Sequence, residues 1–263
     1  MTIMITGATG NLGGAALRFL TDQRPTDALA VLVRDARAAR AFEERGITAR
    51  VGDYSDRASL DRAFSDVRRL LFVSSPVLDP TVRSAQHSAV VEASAGVEHV
   101  VYTSAMGATH DPGHTAAEHA LAELGRSHTI LRNALYSEPF GARALAEAAA
   151  GEIRSASAGR ALATASIRDL AEAAVRALVD PPSRRLWELR GPAWTFDELA
   201  VAVGDRLGRV IAHREVDDVE TGEFAMLFPL VRRDVFATST DDLREMLGRD
   251  PRSIADVVND VER

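Results

Sequence analysis

The sequence predicts an α/β fold with a doubly wound parallel sheet, and three observations carry that prediction. A glycine-rich turn, Thr6–Gly13, lies between a short apolar run and a helical pattern at the N-terminus. Short apolar runs rich in β-branched residues then alternate with helical segments, which is typical of strands buried on both faces of a parallel sheet. The 263 residues, 46% of them hydrophobic, suffice for one large domain or a domain with an appended lobe.

The alternating pattern gives the order of the elements. Strands are predicted at Thr2–Thr6, Leu29–Arg34, Thr48–Gly52, Arg69–Ser74, His99–Ser104, Thr129–Arg132 and Arg185–Leu189. Helices are predicted at Leu12–Asp22, Ala36–Glu44, Asp56–Phe64, Val82–Ala95, Thr115–Leu124 and Ile167–Leu178. With right-handed crossovers this is a Rossmann-like sheet, in which ligands bind at the carboxyl ends of the strands.

Two segments do not fit the alternation, and we assign them to a smaller C-terminal substrate lobe. Residues 1–135 are expected to form the nucleotide-binding domain, with 161–190 returning to it. Residues 136–160 and 191–263 form the lobe. Within the lobe, Trp194 is expected in the core, and Ser253 is expected to cap a helix over Ile254–Val261.

Composition excludes several classes of protein. A formal net charge of −7 argues against a nucleic-acid-binding surface. The chain has no cysteine, which excludes disulfides and thiolate chemistry, and all 31 basic residues are arginine, so no lysine can act as a general acid. No stretch reaches the roughly 18 apolar residues of a membrane span, and the first strand leaves no room for a signal peptide. We therefore expect a cytoplasmic protein without a membrane partner.

The glycine-rich turn indicates a dinucleotide site. Gly7 would make the sharp turn, Gly10 would let a pyrophosphate approach the backbone, and Gly13 would let the helix lie close to the strand. Thr9, Asn11 and Leu12 complete the loop, whose N–H groups and helix dipole would face the phosphates. The alternative is that these glycines form only a structural turn.

The ends of the next strands suggest which dinucleotide binds. Arg34 follows the second strand, and an arginine there accommodates a 2′-phosphate, so NADP(H) is favoured over NAD(H). Arg34 could instead be a solvated charge, and Asp35 could reach a ribose hydroxyl. Asp53 could accept from the adenine amino group or cap the helix near Asp56. The group Ser74, Ser75 and Pro76 ends the fourth strand and is expected beside the cofactor.

Several motifs resemble those of the NmrA-like atypical short-chain dehydrogenase/reductases, and within them the triphenylmethane reductases and type-two NADPH quinone reductases. The glycine spacing is Gly-x-x-Gly-x-x-Gly, and the likeness covers nearly the full length. The motifs are Gly7–Gly13, Leu32–Arg34, Gly52–Tyr54, Val101–Ser104, Ile130–Tyr136, Trp194–Ala200 and Thr238–Leu243. The resemblance implies NADPH binding and hydride transfer to a quinone or conjugated aromatic acceptor. The Tyr-x-x-x-Lys pair of ordinary short-chain dehydrogenases is missing, and NmrA-like proteins include regulators that bind the dinucleotide without catalysis.

The resemblance also marks His114 and Glu118, which fall where the similar reductases have His-x-x-x-Glu. Because they are four residues apart they share a helix face, so His114 could donate a proton while Glu118 holds its tautomer. The alternative is a surface ion pair on a solvated helix face. Tyr102, one strand earlier in the chain, is expected to face the core.

The remaining candidates follow the fifth and sixth strands. Thr103 and Ser104 end the fifth strand; we assign Thr103 to the cofactor and Ser104 to catalysis, unless these hydroxyls only end the strand. Asn133 could bond the nicotinamide carboxamide or neighbouring loops. Tyr136 could stack on a planar substrate, and Met106 is placed on the substrate side.

We predict no metal site. The sequence thus favours an NADPH-dependent reductase of a small planar quinone or aromatic compound, acting as a monomer or homodimer. A non-catalytic NADP(H) sensor is the alternative, and a reductase that tailors a polycyclic natural product is a narrower version of the first hypothesis.

Overall fold

The computed structural model describes residues 2–261, which divide into two compact units. The first unit contains Met1–Asn133 and Leu170–Glu188, and the second contains Ala134–Asp169 and Leu189–Arg263. The sequence places the corresponding boundaries near residues 135, 161 and 190. Elements are numbered below in chain order.

The first unit is built on a seven-stranded sheet in the order β3-β2-β1-β4-β5-β6-β9. Its strands are β1 Thr2–Ile5, β2 Leu29–Val33, β3 Thr48–Val51, β4 Val67–Val73, β5 His99–Ala105, β6 Ser127–Asn133 and β9 Leu186–Leu189. The pairings from β3 through β6 are all parallel. Every residue of β2 is buried, as continuous apolar strands in a doubly covered sheet should be. The predicted α/β fold with its Rossmann-like sheet is confirmed.

Six helices connect these strands. They are α1 Asn11–Thr21, α2 Ala36–Glu43, α3 Arg57–Phe64, α4 Pro80–Ala93, α5 Pro112–Glu123 and α7 Ile167–Val179. Two begin earlier than predicted, α4 at Pro80 rather than Val82 and α5 at Pro112 rather than Thr115. In both an aspartate caps the helix and proline occupies its first position, where the missing N–H costs no hydrogen bond.

The strand order reverses between β1 and β4. The chain proceeds from β1 outward through β2 to β3 and then crosses back to β4 on the other side of β1. The loops at the carboxyl ends of β1 and β4 therefore leave in opposite directions, which opens a crevice where ligands bind in sheets of this type. A side-chain network links the loops after β1, β3 and β4, because the Tyr54 hydroxyl oxygen lies within hydrogen-bond distance of Thr6 Oγ1 and of the Val73 carbonyl oxygen, the latter at 2.7 Å.

The second unit has short strands and an aromatic core. Its strands are β7 Glu152–Ser155, β8 Leu162–Ala163, β10 Ala193–Trp194 and β11 Ala212–Glu215, and its helices are α6 Glu138–Glu147, α8 Phe196–Leu207, α9 Phe228–Val231, α10 Asp242–Leu247 and α11 Ile254–Asp260. Strand β7 pairs with β11 in parallel, and β8 pairs with β10 antiparallel.

Trp194 lies in this aromatic core, as predicted. It is buried against Phe140 and Phe196, and its indole Nε1–H donates to Thr164 Oγ1 at 2.7 Å. Ser253 caps α11 as expected, through a reciprocal pair of hydrogen bonds with Asp256. Among residues 2–261, no helix is long and apolar enough to cross a membrane.

Candidate active site

The glycine-rich turn leads directly into the amino end of α1. Gly7 has a φ of +64°, a left-handed conformation that favours glycine, and the Gly10 N–H donates to the Gly7 carbonyl oxygen at 2.9 Å. A Cβ on Gly13 would lie 2.3 Å from that same oxygen, so only glycine lets the helix pack this closely on the turn. The predicted reasons for Gly7 and Gly13 therefore apply to this structure.

The amino end of α1 lacks the side-chain cap that the next four helices have. Each of α2 to α5 begins at an aspartate whose carboxylate accepts N–H bonds from the first turn. Helix α1 begins at Gly10, with no side-chain cap and no acidic residue in its first turn. Its N–H groups and positive dipole end are therefore available to an anionic ligand such as a pyrophosphate.

The loop side chains differ in exposure. Thr9 and Asn11 are exposed, whereas Leu12 is buried in the core. Any contact from Leu12 to a cofactor would therefore come from its backbone N–H.

At the end of β2, two adjacent charged residues have different environments. Asp35 Oδ1 accepts from the Ala38 N–H at 2.8 Å and so caps α2. Arg34 is exposed, and its guanidinium has no hydrogen bond or ion pair with any residue between 2 and 261. Because Asp35 is used as a cap, the free charge at this strand end is a cation, which would suit a 2′-phosphate better than a free 2′-hydroxyl.

The helix-cap alternative for Asp53 is wrong. Helix α3 is capped by Asp56, whose Oδ1 accepts from the Ser59 N–H at 3.2 Å. Asp53 Oδ1 instead accepts from the Ser55 N–H at 2.7 Å, in a turn before the helix. The adenine contact of Asp53 stays a prediction.

The loop after β4 is held by side chains of neighbouring elements. The Ser74 N–H donates to Thr103 Oγ1 at 3.1 Å, and the Ser75 N–H donates to His87 Nε2 at 2.9 Å. Pro76 is exposed beyond them. Thr103 Oγ1 thus ties β5 to the loop after β4, and its contact with the cofactor stays a prediction.

Asn133 ends β6 with an unsatisfied acceptor. The residue is buried, and its Oδ1 atom is enclosed without a hydrogen-bond partner in residues 2–261. Its backbone carbonyl oxygen accepts from the N–H of half-buried Met106 at 2.8 Å. A buried acceptor without a donor costs about 1–3 kcal/mol. The contact of Asn133 with a nicotinamide carboxamide stays a prediction.

Glu118 does not hold the His114 tautomer, contrary to the sequence prediction. Its carboxylate accepts from the Ser104 hydroxyl at 2.6 Å and from Arg132 at 2.6 Å and 3.0 Å. Burial alone would raise the pKa of Glu118, but the hydrogen bonds from Arg132 and Ser104 outweigh it and lower that pKa. Arg132 bonds Glu188 as well, at 3.0 Å, so the group ties α5 to β5, β6 and β9.

Ser104 is occupied by the same ion pair. Its only hydroxyl hydrogen is donated to Glu118, which leaves its oxygen as an acceptor and makes it unsuited to donate a proton to a substrate. The catalytic assignment of Ser104 is therefore not supported by the geometry. Arg132, which sequence reasoning left out, could have been suspected only as a charged residue inside an otherwise apolar strand.

His114 lies in the first turn of α5 and is buried, not on a solvated helix face. Its Nδ1 lies 2.7 Å from the hydroxyl oxygen of Tyr102, which is fully buried as expected for a core residue. The same hydroxyl lies 3.2 Å from His87 Nδ1. Burial lowers the pKa of His114, although Asp111 and Glu118 partly oppose that effect.

The predicted substrate contact Tyr136 lies in the second unit, where it is half-buried and bridges to Ala165. Burial raises the pKa of its phenol. Among residues 2–261, no cluster of three or more metal-ligating side chains occurs.

The second unit contains a Ser-His-Asp arrangement with the residue types of a hydrolase triad. Ser155 Oγ lies 2.8 Å from His213 Nε2, and His213 Nδ1 lies 2.8 Å from Asp197 Oδ1. Ser155 is fully buried, and its oxygen is also bonded to Ser157 and Glu215. A nucleophile must reach its substrate, so this connection between β7, β11 and α8 is structural.

The sheet reversal between β1 and β4 and the glycine-led amino end of α1 define a Rossmann-like nucleotide-binding protein. The chain belongs to the NmrA-like family, whose family model matches residues 1–122. It is 34% identical over 227 residues to quinone oxidoreductase 2 of Escherichia coli, covering 83% of this chain and 79% of that protein.

Two crystal structures match nearly the whole chain. The triphenylmethane reductase of Citrobacter sp., in complex with NADP(H), superposes with a TM-score of 0.91 at 29% identity, covering 98% of this chain and 99% of that one. The NADPH-dependent quinone oxidoreductase of Escherichia coli, in complex with NADPH, gives a TM-score of 0.85 at 30% identity and 98% coverage of both chains.

Proposed function

We propose that this protein is an NADPH-dependent reductase that transfers a hydride to a quinone or another conjugated aromatic acceptor. The observation that carries the proposal is the full-length structural match to two reductases crystallised with NADP(H) and NADPH. The absence of cysteine and lysine is compatible with this chemistry, because hydride transfer depends on positioning the acceptor against the cofactor.

We assign four groups of residues in the first unit to NADPH. The N–H groups at the amino end of α1 would bind the pyrophosphate, and Arg34 would pair with the 2′-phosphate. Asn133, at the carboxyl end of β6, would bond the nicotinamide carboxamide through its side-chain amide. Ser74, Ser75 and Pro76 would border the cofactor at the end of β4, the central position of the sheet beside β1.

Reduction of a quinone to a hydroquinone consumes one hydride and one proton, and NADPH, once bound, supplies the hydride. The protein must orient the acceptor and stabilise the negative charge that develops on its oxygen. In the first unit, His114 is the candidate for stabilising this negative charge. Tyr136 and Met106 stay predicted contacts for the aromatic acceptor, and the cytoplasmic location and the monomeric or homodimeric state also stay predictions.

Steady-state assays test this function. NADPH oxidation by the purified protein would be followed with a panel of benzoquinones, naphthoquinones and triphenylmethane dyes, with NADH as the matched cofactor control. We expect acceptor-dependent oxidation that is faster with NADPH. Calorimetric binding of NADPH without reduction of any acceptor would support the NADP(H)-sensing alternative, and absence of binding would overturn both.

A further inference from the structure

The buried ring of His87 can exist in only one protonation state. The Ser75 N–H is a donor only, and it points to His87 Nε2 at 2.9 Å, so that nitrogen must carry a lone pair. The Gly113 carbonyl oxygen is an acceptor only, and it lies 3.1 Å from His87 Nδ1, so that nitrogen must carry the hydrogen. Burial lowers the pKa of His87 to about 4, which agrees with this neutral form.

This state of His87 decides the direction of the next hydrogen bond. Because His87 Nδ1 carries a hydrogen, it cannot accept from the Tyr102 hydroxyl 3.2 Å away. The other partner of that hydroxyl is His114 Nδ1, at 2.7 Å. The Tyr102 hydroxyl therefore donates to His114 Nδ1, and the hydrogen of a neutral His114 lies on Nε2.

We propose that His114 acts as a neutral hydrogen-bond donor through Nε2–H toward the acceptor oxygen, in a tautomer imposed by Tyr102 and, through it, by His87. Tyr102 and His87 are positioning residues in this scheme. The Nε2 atom has no hydrogen-bond partner in residues 2–261, so its hydrogen is left for a ligand. The catalytic half of the inference rests on the proposed function, whereas the tautomer does not.

The surroundings of His114 disfavour an imidazolium at this position. Protonation would place a second hydrogen on Nδ1 and leave the buried Tyr102 hydroxyl hydrogen without an acceptor, and the amino end of α5 also repels a cation. Five groups face the ring from the elements around it. Arg83 on α4 disfavours the charge, Asp111 and Glu118 of the α5 segment favour it, Tyr102 on β5 donates to the neutral ring, and the neutral ring of His87 on α4 lies 5.6 Å away.

The hydrogen-bonded series of His114, Tyr102, His87 and Ser75 is called the relay below. It cannot carry a proton, because it ends at the Ser75 amide, which neither gives up nor takes one. His114 would therefore stabilise negative charge on the acceptor oxygen without transferring its own hydrogen, as an oxyanion-hole donor does. The hydride adds to the quinone, the electron pair moves to the oxygen, and water supplies the proton that completes the hydroquinone. A neutral donor predicts a turnover number that does not fall between pH 6.5 and 8.5, whereas an imidazolium acid would lose activity over that range.

Nitrogen-15 NMR of the full-length protein tests the tautomer without reference to activity. Two-bond nitrogen–proton correlations distinguish the protonated nitrogen of each of the seven histidines, and His114→Asn identifies the His114 signals by their loss. We expect His114 to be neutral at pH 7 with its hydrogen on Nε2. A hydrogen on Nδ1, or a titration midpoint at or above 6.5, would overturn the proposal.

Two isosteric substitutions test the donor in catalysis. Glutamine places an N–H group near the position of Nε2, whereas asparagine places one near Nδ1. We expect His114→Gln to keep the turnover number within about tenfold and His114→Asn to lower it about 100-fold, the typical cost of removing an oxyanion donor. The exposed His119 on the same helix provides the control, and His119→Gln should behave as the wild type. Equal losses in both His114 variants would contradict a donor at Nε2.

Tyr102→Phe tests the positioning role. It removes the hydroxyl that selects the tautomer while keeping the buried ring, so the NMR spectrum should show both neutral tautomers of His114 and a higher pKa. The turnover number should fall about three- to tenfold with little change in the KM for NADPH. An unchanged His114 spectrum would refute the relay. If the wild type reduces no acceptor, the catalytic half fails with the proposed function, and the spectrum still decides the tautomer.

Discussion

Arg34 and Asp35 show how adjacent residues at a strand end can have separate roles. The Asp35 carboxylate caps α2 by accepting from a backbone N–H, and it is therefore less available to bond a ribose hydroxyl. Arg34 keeps its charge in solvent, next to the amino end of α2. The preference for NADPH over NADH is therefore expected to depend on Arg34.

Arg34→Gln should weaken the binding of NADPH and leave the binding of NADH nearly unchanged. Loss of a charge-assisted hydrogen bond to a phosphate costs about 1.5–3 kcal/mol, so the KM for NADPH should rise about 10- to 100-fold. Steady-state kinetics with both cofactors measure this. Arg62→Gln, an exposed arginine on α3, is the control. An equal rise in the KM for NADPH and NADH would show that Arg34 does not contact the 2′-phosphate.

At the scale of elements, the ion pair of Glu118 and Arg132 joins α5 to the sheet. Both groups are largely buried, with 8% and 17% of their side chains exposed, and Ser104 and Glu188 complete their hydrogen bonds. A buried pair of this kind is costly to break, because the remaining charge stays desolvated. Glu118 is therefore a stability residue in this structure.

Glu118→Gln should destabilise the protein by about 2–4 kcal/mol at pH 7. Because the folded pKa of Glu118 is lowered, its contribution is fully present above the unfolded value of about 4.3 and is lost as the pH falls through the folded value. Urea unfolding at pH 7 and pH 4 should thus show a smaller difference for the variant than for the wild type. The exposed Arg57–Asp61 pair is the comparison, since Asp61→Asn should change the stability by less than about 1 kcal/mol. Similar losses of stability in Glu118→Gln and Asp61→Asn would contradict the assignment of Glu118 to a buried, stabilising ion pair.

The connection of Ser155, His213 and Asp197 joins β7, β11 and α8 in the second unit. Ser155→Ala should cost about 1–2 kcal/mol, because His213 Nε2 loses a close partner. The rates of NADPH oxidation and of nitrophenyl acetate hydrolysis should be the same in the variant and the wild type. A lower hydrolysis rate in Ser155→Ala would mean that the hydroxyl becomes accessible and acts as a nucleophile.

For the molecule as a whole, a bound dinucleotide should stabilise the folded state by mass action. At 100 times its dissociation constant, NADPH should add about 2.7 kcal/mol and raise the melting temperature by roughly 5–10 °C. Differential scanning fluorimetry at matched concentrations should show a smaller shift with NADH, and a reduced NADPH shift in Arg34→Gln. No shift at millimolar NADPH would contradict the cofactor assignment.

Much of the architecture could be predicted from local chemistry. The strands were predictable because β-branched apolar runs such as β2 are buried along their whole length. The glycine-rich turn was predictable because Gly7 has a backbone conformation that favours glycine, and Gly13 lies too close to the Gly7 carbonyl oxygen for a Cβ. Helix starts were less accurate at α4 and α5, where the Asp-Pro pairs add a turn before the apolar pattern begins.

His114 and Glu118, the predicted catalytic pair, show what cannot be predicted from local sequence. The spacing of His114 and Glu118 placed them correctly on one buried face of α5, and it suggested that they bond each other. Their hydrogen-bond partners instead come from other elements, Tyr102 of β5 for His114, and Ser104 of β5 and Arg132 of β6 for Glu118. Those strands are neighbours only through the pairing of the sheet.

The amino-acid sequence alone therefore determined the class of fold, the glycine-rich turn before α1 and the exposed positive charge after β2, because each depends on a few consecutive residues. The tertiary structure decided which polar side chains satisfy one another inside that fold. A buried donor must find an acceptor wherever the packed chain provides one, and residues distant in sequence supply most of them here.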